Sequence, residues 1–406
     1  MKVLQINAVY GHGSTGDIVR ELLLNVKKVG GQSYIAVPEK IKNHNEVDGY
    51  IRIGNKIDYK LHSLSSRIFG MQGFSSKKST LKLIKEIEKI NPDIIHLHNL
   101  HSNYINIEYL FKYIRENKKP TIITLHDCWF LTGKCCHFLY DNCEKWKVKC
   151  EKCIRKKKEI PSYFFDTSTK VYEKKKKLIG ENPFVYVIGC SKWITEVARQ
   201  SILNKRVIGT IYNGIDLSIF YPRKNNFRIK YKLEEKYVIL GMANKWLTKE
   251  NKKTYEEILK FLKKDIILFL IGCTEEEIKK LPDNVLGVGF INDKNTLANY
   301  YSMADVFVNV TKVDSLPTVN IEAIACGTPV ITYNSGGSAE ILNSNVGISV
   351  EYGDIKGLIL SIEKIKTKRK EEYIDQCVKH INENFEKNKC FEKYIDLYEK
   401  ILSNEV

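Results

Sequence analysis

The chain has 406 residues, of which 43% are hydrophobic and 28% charged, with a formal net charge of +17 at pH 7. This length predicts two domains, and the composition excludes a disordered or fibrous chain. No run approaches the ~18 consecutive apolar residues of a membrane span. The N-terminal MKVLQINAVYG predicts a strand and not a signal peptide, so we expect a cytoplasmic protein.

Short apolar runs alternate with amphipathic stretches through the first 210 residues. The runs predict buried parallel strands at 3–9, 33–37, 93–97, 121–125 and 184–189. The stretches between them predict helices at 15–29, 79–90 and 105–117. Alternating strands and helices build a doubly wound α/β sheet, so residues 1–210 are predicted to form a Rossmann-like domain.

The same alternation restarts after Tyr212-Asn213-Gly214, a turn signal. It predicts strands at 237–242, 266–271, 285–290, 306–310 and 330–333, with helices at 252–262, 275–281, 294–302 and 318–325. We therefore predict a second Rossmann-like domain over 211–385 and a final helix, 386–406, that packs back on the first domain. Open α/β sheets bind ligands beyond the carboxyl ends of their strands. We expect the site in a cleft between the two facing domains.

The segment 314–340, DSLPTVNIEAIACGTPVITYNSGGSAE, carries the strongest chemical signal. Asp314 stands eight positions before Glu322, which lies on the helix predicted from Thr318. A strand and a Ser-Gly-Gly turn follow. Two carboxylates beside glycine-freed N–H groups suit a ligand with sugar hydroxyls and a diphosphate. The segment therefore predicts a nucleotide-sugar site.

With these motifs the whole chain resembles the retaining, nucleotide-sugar-dependent glycosyltransferases of family four, which have the GT-B fold. The resemblance rests on GHGSTG at 11–16, HD at 126–127, SKW at 191–193, YNGID at 212–216 and the 314–340 segment. It implies sugar transfer from a nucleoside diphosphate sugar, most often a UDP-sugar, to a hydroxyl of a lipid-linked or growing surface glycan. Such enzymes build capsular, O-antigen or exopolysaccharide chains.

The resemblance also implies the donor-side residues. The family's two glutamates map onto Asp314, which would lie near the donor sugar, and Glu322, which would bind the ribose hydroxyls. The family places an Arg and a Lys against the diphosphate. The Arg position falls on Lys245 and the Lys position on Glu250, whose neighbour Lys249 would take the second role. Backbone groups complete the donor site around Leu316, Pro317 and Thr318, at Gly336 and Gly337, and at Gly13 and Gly16 of the first glycine loop.

The resemblance places His126, at the end of a predicted strand, near the reacting centre. Of the neighbouring histidines, His96, His98 and His101, we expect structural or site-lining roles and no metal. No catalytic divalent metal is expected, because lysines and N–H groups would neutralise the leaving diphosphate.

Six cysteines fall within residues 128–153. Cys150 and Cys153 have zinc-knuckle spacing, and Cys135 and Cys143 supply two more thiolates, so a structural Zn²⁺ is predicted. Cys136 or His137 is an alternative ligand. Disulfides, which a reducing compartment disfavours, and free thiols remain open alternatives.

Basic clusters at 152–158, 174–177 and 249–253 are compatible with nucleic acid, anionic lipid, a phosphate-bearing substrate or a merely lysine-rich surface. They lack the interleaved aromatic residues of a nucleic-acid platform, so we expect no nucleic-acid partner. We predict that Lys156, Lys157 and Lys158 contact anionic lipid and hold the enzyme on the inner face of the plasma membrane. The alternatives are a nucleotide-sugar epimerase of the same fold and, more remotely, a zinc-loop nucleic-acid-binding protein.

Overall fold

The computed structural model describes residues 1–39 and 46–406, which form two compact units. Unit 1 comprises Met1–Tyr212 together with Phe391–Val406, and unit 2 comprises Asn213–Cys390. The sequence analysis placed the first boundary between residues 210 and 211 and the second between 385 and 386.

Unit 1 is a seven-stranded parallel sheet with helices between its strands, in the order β3-β2-β1-β4-β5-β6-β7. The strands are β1 (Lys2–Ile6), β2 (Gln32–Val37), β3 (Gly49–Arg52), β4 (Ile94–Leu97), β5 (Thr121–Leu125), β6 (Val185–Gly189) and β7 (Val207–Thr210). The helices are α1 (Gly13–Lys28), α2 (Lys56–Phe69), α3 (Lys77–Ile90), α4 (Ile107–Glu116), α5 (Ser168–Lys175) and α6 (Lys192–Arg199). The central strands are buried throughout because helices cover both faces of such a sheet.

Unit 2 is a six-stranded parallel sheet in the order β10-β9-β8-β11-β12-β13. Its strands are β8 (Tyr237–Met242), β9 (Ile266–Ile271), β10 (Val285–Val288), β11 (Val306–Asn309), β12 (Val330–Asn334) and β13 (Gly347–Glu351). Its helices are α7 (Phe227–Lys230), α8 (Ala243–Trp246), α9 (Lys252–Phe261), α10 (Glu275–Ile278), α11 (Lys294–Met303), α12 (Thr318–Ala325), α13 (Ile355–Lys366) and α14 (Glu371–Asn384). Both units are thus Rossmann-like, as predicted.

The final helix, α15 (Lys387–Leu402), places its apolar stripe in the core of unit 1. Phe391, Tyr394 and Tyr398 are buried there beside the central strands. The Tyr398 hydroxyl hydrogen-bonds His96 Nδ1 at 2.7 Å, so the helix is also fixed by a buried polar contact. The predicted return of the C-terminal helix to the first domain is confirmed.

The sequence analysis missed β3, β7 and β13, which lie at sheet edges and have few fully buried positions. Half-buried edge strands of four or five residues give a weak apolar pattern. Among the described residues, no helix combines the length and the apolar character that crossing a bilayer requires.

Candidate functional site

The candidate donor site lies where the strand order of unit 2 reverses. Strands β8, β11 and β12 are neighbours, and the chain winds outward in opposite directions from β8 and β11. The loops that follow these three strands therefore share one edge of the sheet, which is where α/β sheets bind ligands. These loops and the helices that follow them contain the donor residues that the sequence predicted for this half of the chain.

Asp314 is held by its own loop and by the glycine turn after β12. Its Oδ1 accepts the Leu316 N–H at 3.1 Å, and its carbonyl oxygen accepts the Gly337 N–H at 2.9 Å. Gly336 has φ +63°, and a Cβ there would lie 2.1 Å from the Asp314 carbonyl oxygen. Only glycine fits this close approach. The two halves of the 314–340 segment are thus joined.

Glu322 is the fifth residue of α12 and is half-buried. Its Oε2 accepts a hydrogen bond from the Tyr301 hydroxyl at 2.9 Å. Burial raises the pKa of Tyr301 well above its usual value, and Glu322 raises it further, so the phenol remains a donor. The sequence analysis missed Tyr301, because it stands 21 residues from Glu322 on α11.

Lys245 lies half-buried on the short helix α8, and Lys249 is exposed just beyond it. The buried Asn251 side chain donates to the Lys245 carbonyl at 2.9 Å and to the Val310 carbonyl at 2.7 Å. These two bonds join the lysine loop to the loop that carries Asp314. No motif in the sequence pointed to Asn251.

The first turn of α12 has polar groups available to a ligand. Pro317 precedes the helix and supplies no side-chain cap, in contrast to capped α11, where the Asp293 side chain accepts two N–H groups. The hydroxyls of Ser315 and Ser338 are buried, and neither has a hydrogen-bond partner among the described residues. Uncapped N–H groups and unpaired hydroxyls suit an anion with several oxygens.

In unit 1, the predicted glycine loop follows β1 and opens α1. Gly11 and Gly13 have φ of +69° and +64°. A Cβ on Gly16 would lie 3.2 Å from the Gly11 nitrogen, so the turn is closely packed. His12, at the N-cap of α1, gives the first turn no side-chain hydrogen bond. The loop therefore has the backbone geometry expected of it.

His126 follows β5 and belongs to a buried chain of polar side chains. Its Nε2 lies 3.0 Å from His98 Nδ1, and His98 Nε2 donates to Gln5 Oε1 at 2.7 Å. Burial lowers the pKa of His126 to about 4 and that of His98 well below its usual value, so both rings are neutral at pH 7. A neutral His98 that donates to Gln5 must accept from His126, which leaves His126 Nδ1 with the lone pair.

His96 on β4 and His98 just after it are not arranged as metal ligands. His96 uses both ring nitrogens in the core, with Tyr398 and with Thr124 at 2.8 Å, and His98 is likewise occupied. His101 instead pairs with Asp127 at 2.9 Å. Among residues 1–39 and 46–406, the one group of three donor atoms within 4.8 Å of one another is that of His101, Asp127 and Cys136.

The four predicted zinc ligands, Cys135, Cys143, Cys150 and Cys153, line one cavity of about 270 Å³. Cys150 Sγ accepts the Gly133 N–H at 3.2 Å, and the Cys153 sulfur accepts the Arg155 N–H. Burial raises the pKa of Cys135 to about 12 and that of Cys150 to about 11. All four are free thiols, and no three of their sulfurs lie within 4.8 Å of one another in the described chain.

Two sequence families match most of the chain. Residues 223–383 match "Glycosyl transferases group 1", and residues 30–219 match "Glycosyltransferase Family 4". The colanic acid biosynthesis glycosyl transferase WcaC of Escherichia coli (strain K12) is 24% identical over 379 residues, covering 88% of this chain and 89% of WcaC.

Two further proteins extend the similarity. An Escherichia coli UDP-Gal:alpha-D-GlcNAc-diphosphoundecaprenol alpha-1,3-galactosyltransferase is 24% identical over 216 residues, covering 48% of this chain and 55% of that enzyme. The structure of Anabaena HepE in complex with UDP-glucose has a TM-score of 0.67 and 13% identity, with all of both chains covered. The chain therefore belongs to the GT-B glycosyltransferases, with a family 4 domain followed by a group 1 domain.

Proposed function

We propose that this glycosyltransferase moves a sugar, with retention of configuration, from a UDP-sugar to a hydroxyl of a lipid-linked surface glycan. The observation that carries the proposal is the convergence of three loops at the strand-order reversal of unit 2. Asn251 and the contact between Asp314 and Gly337 join these loops, which come from β8, β11 and β12.

The chemistry of this edge supports a nucleoside diphosphate sugar. The Glu322 carboxylate suits a pair of ribose hydroxyls, because an ionised acceptor forms strong hydrogen bonds with O–H donors. The uncapped turn of α12 and the hydroxyls of Ser315 and Ser338 suit phosphate oxygens. Lys245 and Lys249 supply the positive charge, and Asp314 faces the sugar.

In the proposed reaction, the bond from the anomeric carbon to the leaving phosphate oxygen breaks through an oxocarbenium-like transition state. The acceptor hydroxyl oxygen attacks the same face, and the leaving phosphate oxygen takes its proton. The lysines, the first-turn N–H groups of α12 and the Gly336 N–H stabilise the developing charge on the diphosphate. His126, Gly13 and Gly16 keep the roles that the family resemblance implies.

The lipid-linked acceptor is supported by the relatives. One relative takes its name from colanic acid biosynthesis, and another from a diphosphoundecaprenol-linked acceptor. The proposal includes the cytoplasmic location expected from the sequence, where both substrates would meet the enzyme.

UDP is expected to raise the melting temperature of the protein, because a ligand that binds only the folded state stabilises it by about 2.7 kcal/mol at a hundred times its Kd. A thermal-shift series with UDP, ADP, GDP and dTDP measures this. Incubation of the preferred nucleotide sugar with a polyprenyl-diphosphate saccharide then tests transfer, and the product anomer tests retention. No shift with any nucleotide, or an inverted product, would contradict the proposal.

We also propose that Cys135, Cys143, Cys150 and Cys153 hold a structural Zn²⁺. Their shared cavity and the two N–H···S hydrogen bonds support it, since backbone N–H groups commonly stabilise metal-bound thiolates. A ZnS₄ shell with Zn–S of about 2.3 Å holds its sulfurs about 3.8 Å apart. Bound zinc would therefore draw the four sulfurs inward, and it would hold them as thiolates despite their raised pKa values.

Purified protein is expected to contain about one zinc per chain by elemental analysis, and Cys143→Ser is expected to lose it. Cys136→Ser is the matched control, because Cys136 lies in the same loop outside the proposed set. Loss of zinc from Cys136→Ser but not from Cys143→Ser would assign the metal to the group of His101, Asp127 and Cys136 instead. Metal-free wild-type protein from zinc-supplemented cells would contradict any zinc site.

A further inference from the structure

Helix α2 buries polar residues and exposes apolar ones, which is the opposite of an ordinary surface helix. Its buried residues are the polar His62, Ser63 and Ser66. Its outward face carries Ile57, Leu61 and Leu64, whose exposed fractions are 68%, 61% and 55%. These positions are spaced i, i+4 and i+7, so they form one apolar stripe along the helix. An exposed apolar stripe of this kind marks an interaction surface.

The inward polar contacts fix this orientation. His62 Nδ1 lies 2.8 Å from Ser76 Oγ, and His62 Nε2 accepts the Gly73 N–H at 3.1 Å. A capping box of Asn55 and Asp58 holds the first turn. Turning the helix over would bury the stripe but break both hydrogen bonds of His62. The exposure of the stripe is therefore built into the fold.

Aromatic side chains lie at the C-terminal end of α2 and in the loop that packs on it. Phe69 and Phe165 stack with ring centroids 6.2 Å apart, and Phe164 beside them is 69% exposed. The Tyr163 N–H donates to the Arg67 carbonyl at 2.8 Å, which fastens this loop to the helix. We call the surface of Ile57, Leu61, Leu64, Phe69, Phe164 and Phe165 the α2 face.

The charges around the α2 face are mostly positive. The helix exposes Lys56, Lys60 and Arg67, and the chain that leads into the aromatic loop exposes Lys157 and Lys158. The neighbouring acids are engaged: Asp58 in the capping box, Glu159 with Arg155, and Asp166 with backbone N–H groups. An apolar face with a basic rim is complementary to a bilayer with anionic headgroups.

We propose that the α2 face docks on an anionic membrane surface, with its aliphatic and phenyl side chains in the interfacial region and its basic rim against lipid phosphates. Tyr163, exposed in the loop that carries Phe164 and Phe165, has the amphipathic ring that membrane interfaces favour. The sequence predicted contact with anionic lipid through Lys156, Lys157 and Lys158. The proposal adds an apolar surface to that contact. The docking itself does not depend on the proposed function. Its purpose, which is to bring the enzyme to a lipid-linked acceptor, rests on the proposed function.

The test is co-sedimentation with vesicles of phosphatidylcholine alone and with vesicles of phosphatidylcholine mixed with anionic phosphatidylglycerol. Wild-type protein is expected to pellet with the anionic vesicles and much less with the neutral ones. The double variant Leu61→Asp/Leu64→Asp is expected to lose at least tenfold in binding, because it places two charges at the centre of the stripe.

Ile229→Asp/Leu360→Asp is the matched control: both residues are exposed aliphatics of unit 2, and the charge change is the same. It is expected to bind vesicles as the wild type does. Melting temperatures and the shift with UDP, measured without vesicles, show whether each variant is folded and whether the donor proposal holds. The docking proposal would be overturned if the wild-type protein binds neither kind of vesicle, or if both double variants lose vesicle binding equally. If the wild type is a dimer and the Leu61→Asp/Leu64→Asp variant is a monomer that still binds vesicles normally, the docking proposal is also overturned.

Discussion

Glu322→Gln is expected to weaken UDP binding by about tenfold to a hundredfold. Neutralising the carboxylate replaces charge-assisted hydrogen bonds to the ribose, each contributing about 1.5–3 kcal/mol, by weaker neutral ones. A loss of about 1.4 kcal/mol is tenfold in affinity. Glutamine keeps the side-chain shape and can accept from Tyr301, so α12 should fold normally. Isothermal titration with UDP measures the effect directly.

Glu363→Gln is the control for this substitution, because Glu363 is an exposed glutamate of α13 in the same unit. It should leave UDP affinity unchanged. Tyr301→Phe removes only the hydroxyl that orients Glu322, so a loss of about threefold is expected. Unchanged UDP affinity in Glu322→Gln, with the wild-type shift in melting temperature, would remove Glu322 from the donor site.

Lowering the pH from 7 to 5 is expected to reduce the free energy of unfolding by several kcal/mol. Burial lowers the pKa of His62 and of His126 to about 4 and that of His96 to about 3, whereas an unfolded histidine titrates near 6.5. Between these values the unfolded chain binds more protons, so stability is complete above about pH 6.5 and falls as the pH drops toward 4. Each of the three histidines contributes about 2 kcal/mol of this loss at pH 5.

One neighbouring group opposes the loss. The pKa of His101 is raised, because the attraction of Asp127 outweighs the effect of burial, and its contribution has the opposite sign. Urea unfolding at pH 7, 6 and 5, followed by tryptophan fluorescence, gives the net value. His62→Gln, which can still bond Ser76, should reduce the loss between pH 7 and pH 5 by about 2 kcal/mol. An equal loss in that variant would assign the acid sensitivity to other groups.

The residues proposed for the candidate donor site could be picked out together because they are close in sequence. Strand β8 and helix α12 have the bounds that the apolar pattern predicted, and Asp314, Glu322 and the glycine turn fall within one segment of 27 residues. The connections between loops were not predictable. Asn251 meets Val310 across 59 positions, and Tyr301 lies on a different helix from Glu322, so no local pattern indicates either contact.

The structure also decides which face of a helix is buried. The stripe of α2 has the same i, i+4, i+7 spacing as a core-facing helix, but polar contacts such as those of His62 with Ser76 and Gly73 keep it facing outward. The zinc ligands illustrate the same division, since cysteine spacing predicts a set of four, whereas the positions of the sulfurs depend on how the loop folds.

The sequence by itself determined the two Rossmann-like domains, the return of the last helix and the acidic and glycine positions of the 314–340 segment, because local apolar periodicity and short motifs involve neighbouring residues. Only the tertiary structure decided which loops meet at the strand-order reversal, how His98 and Gln5 set the proton on His126, and that α2 turns its apolar side outward. Those features depend on contacts between residues far apart in the chain, and the energy of such contacts exists only once the sheets have formed.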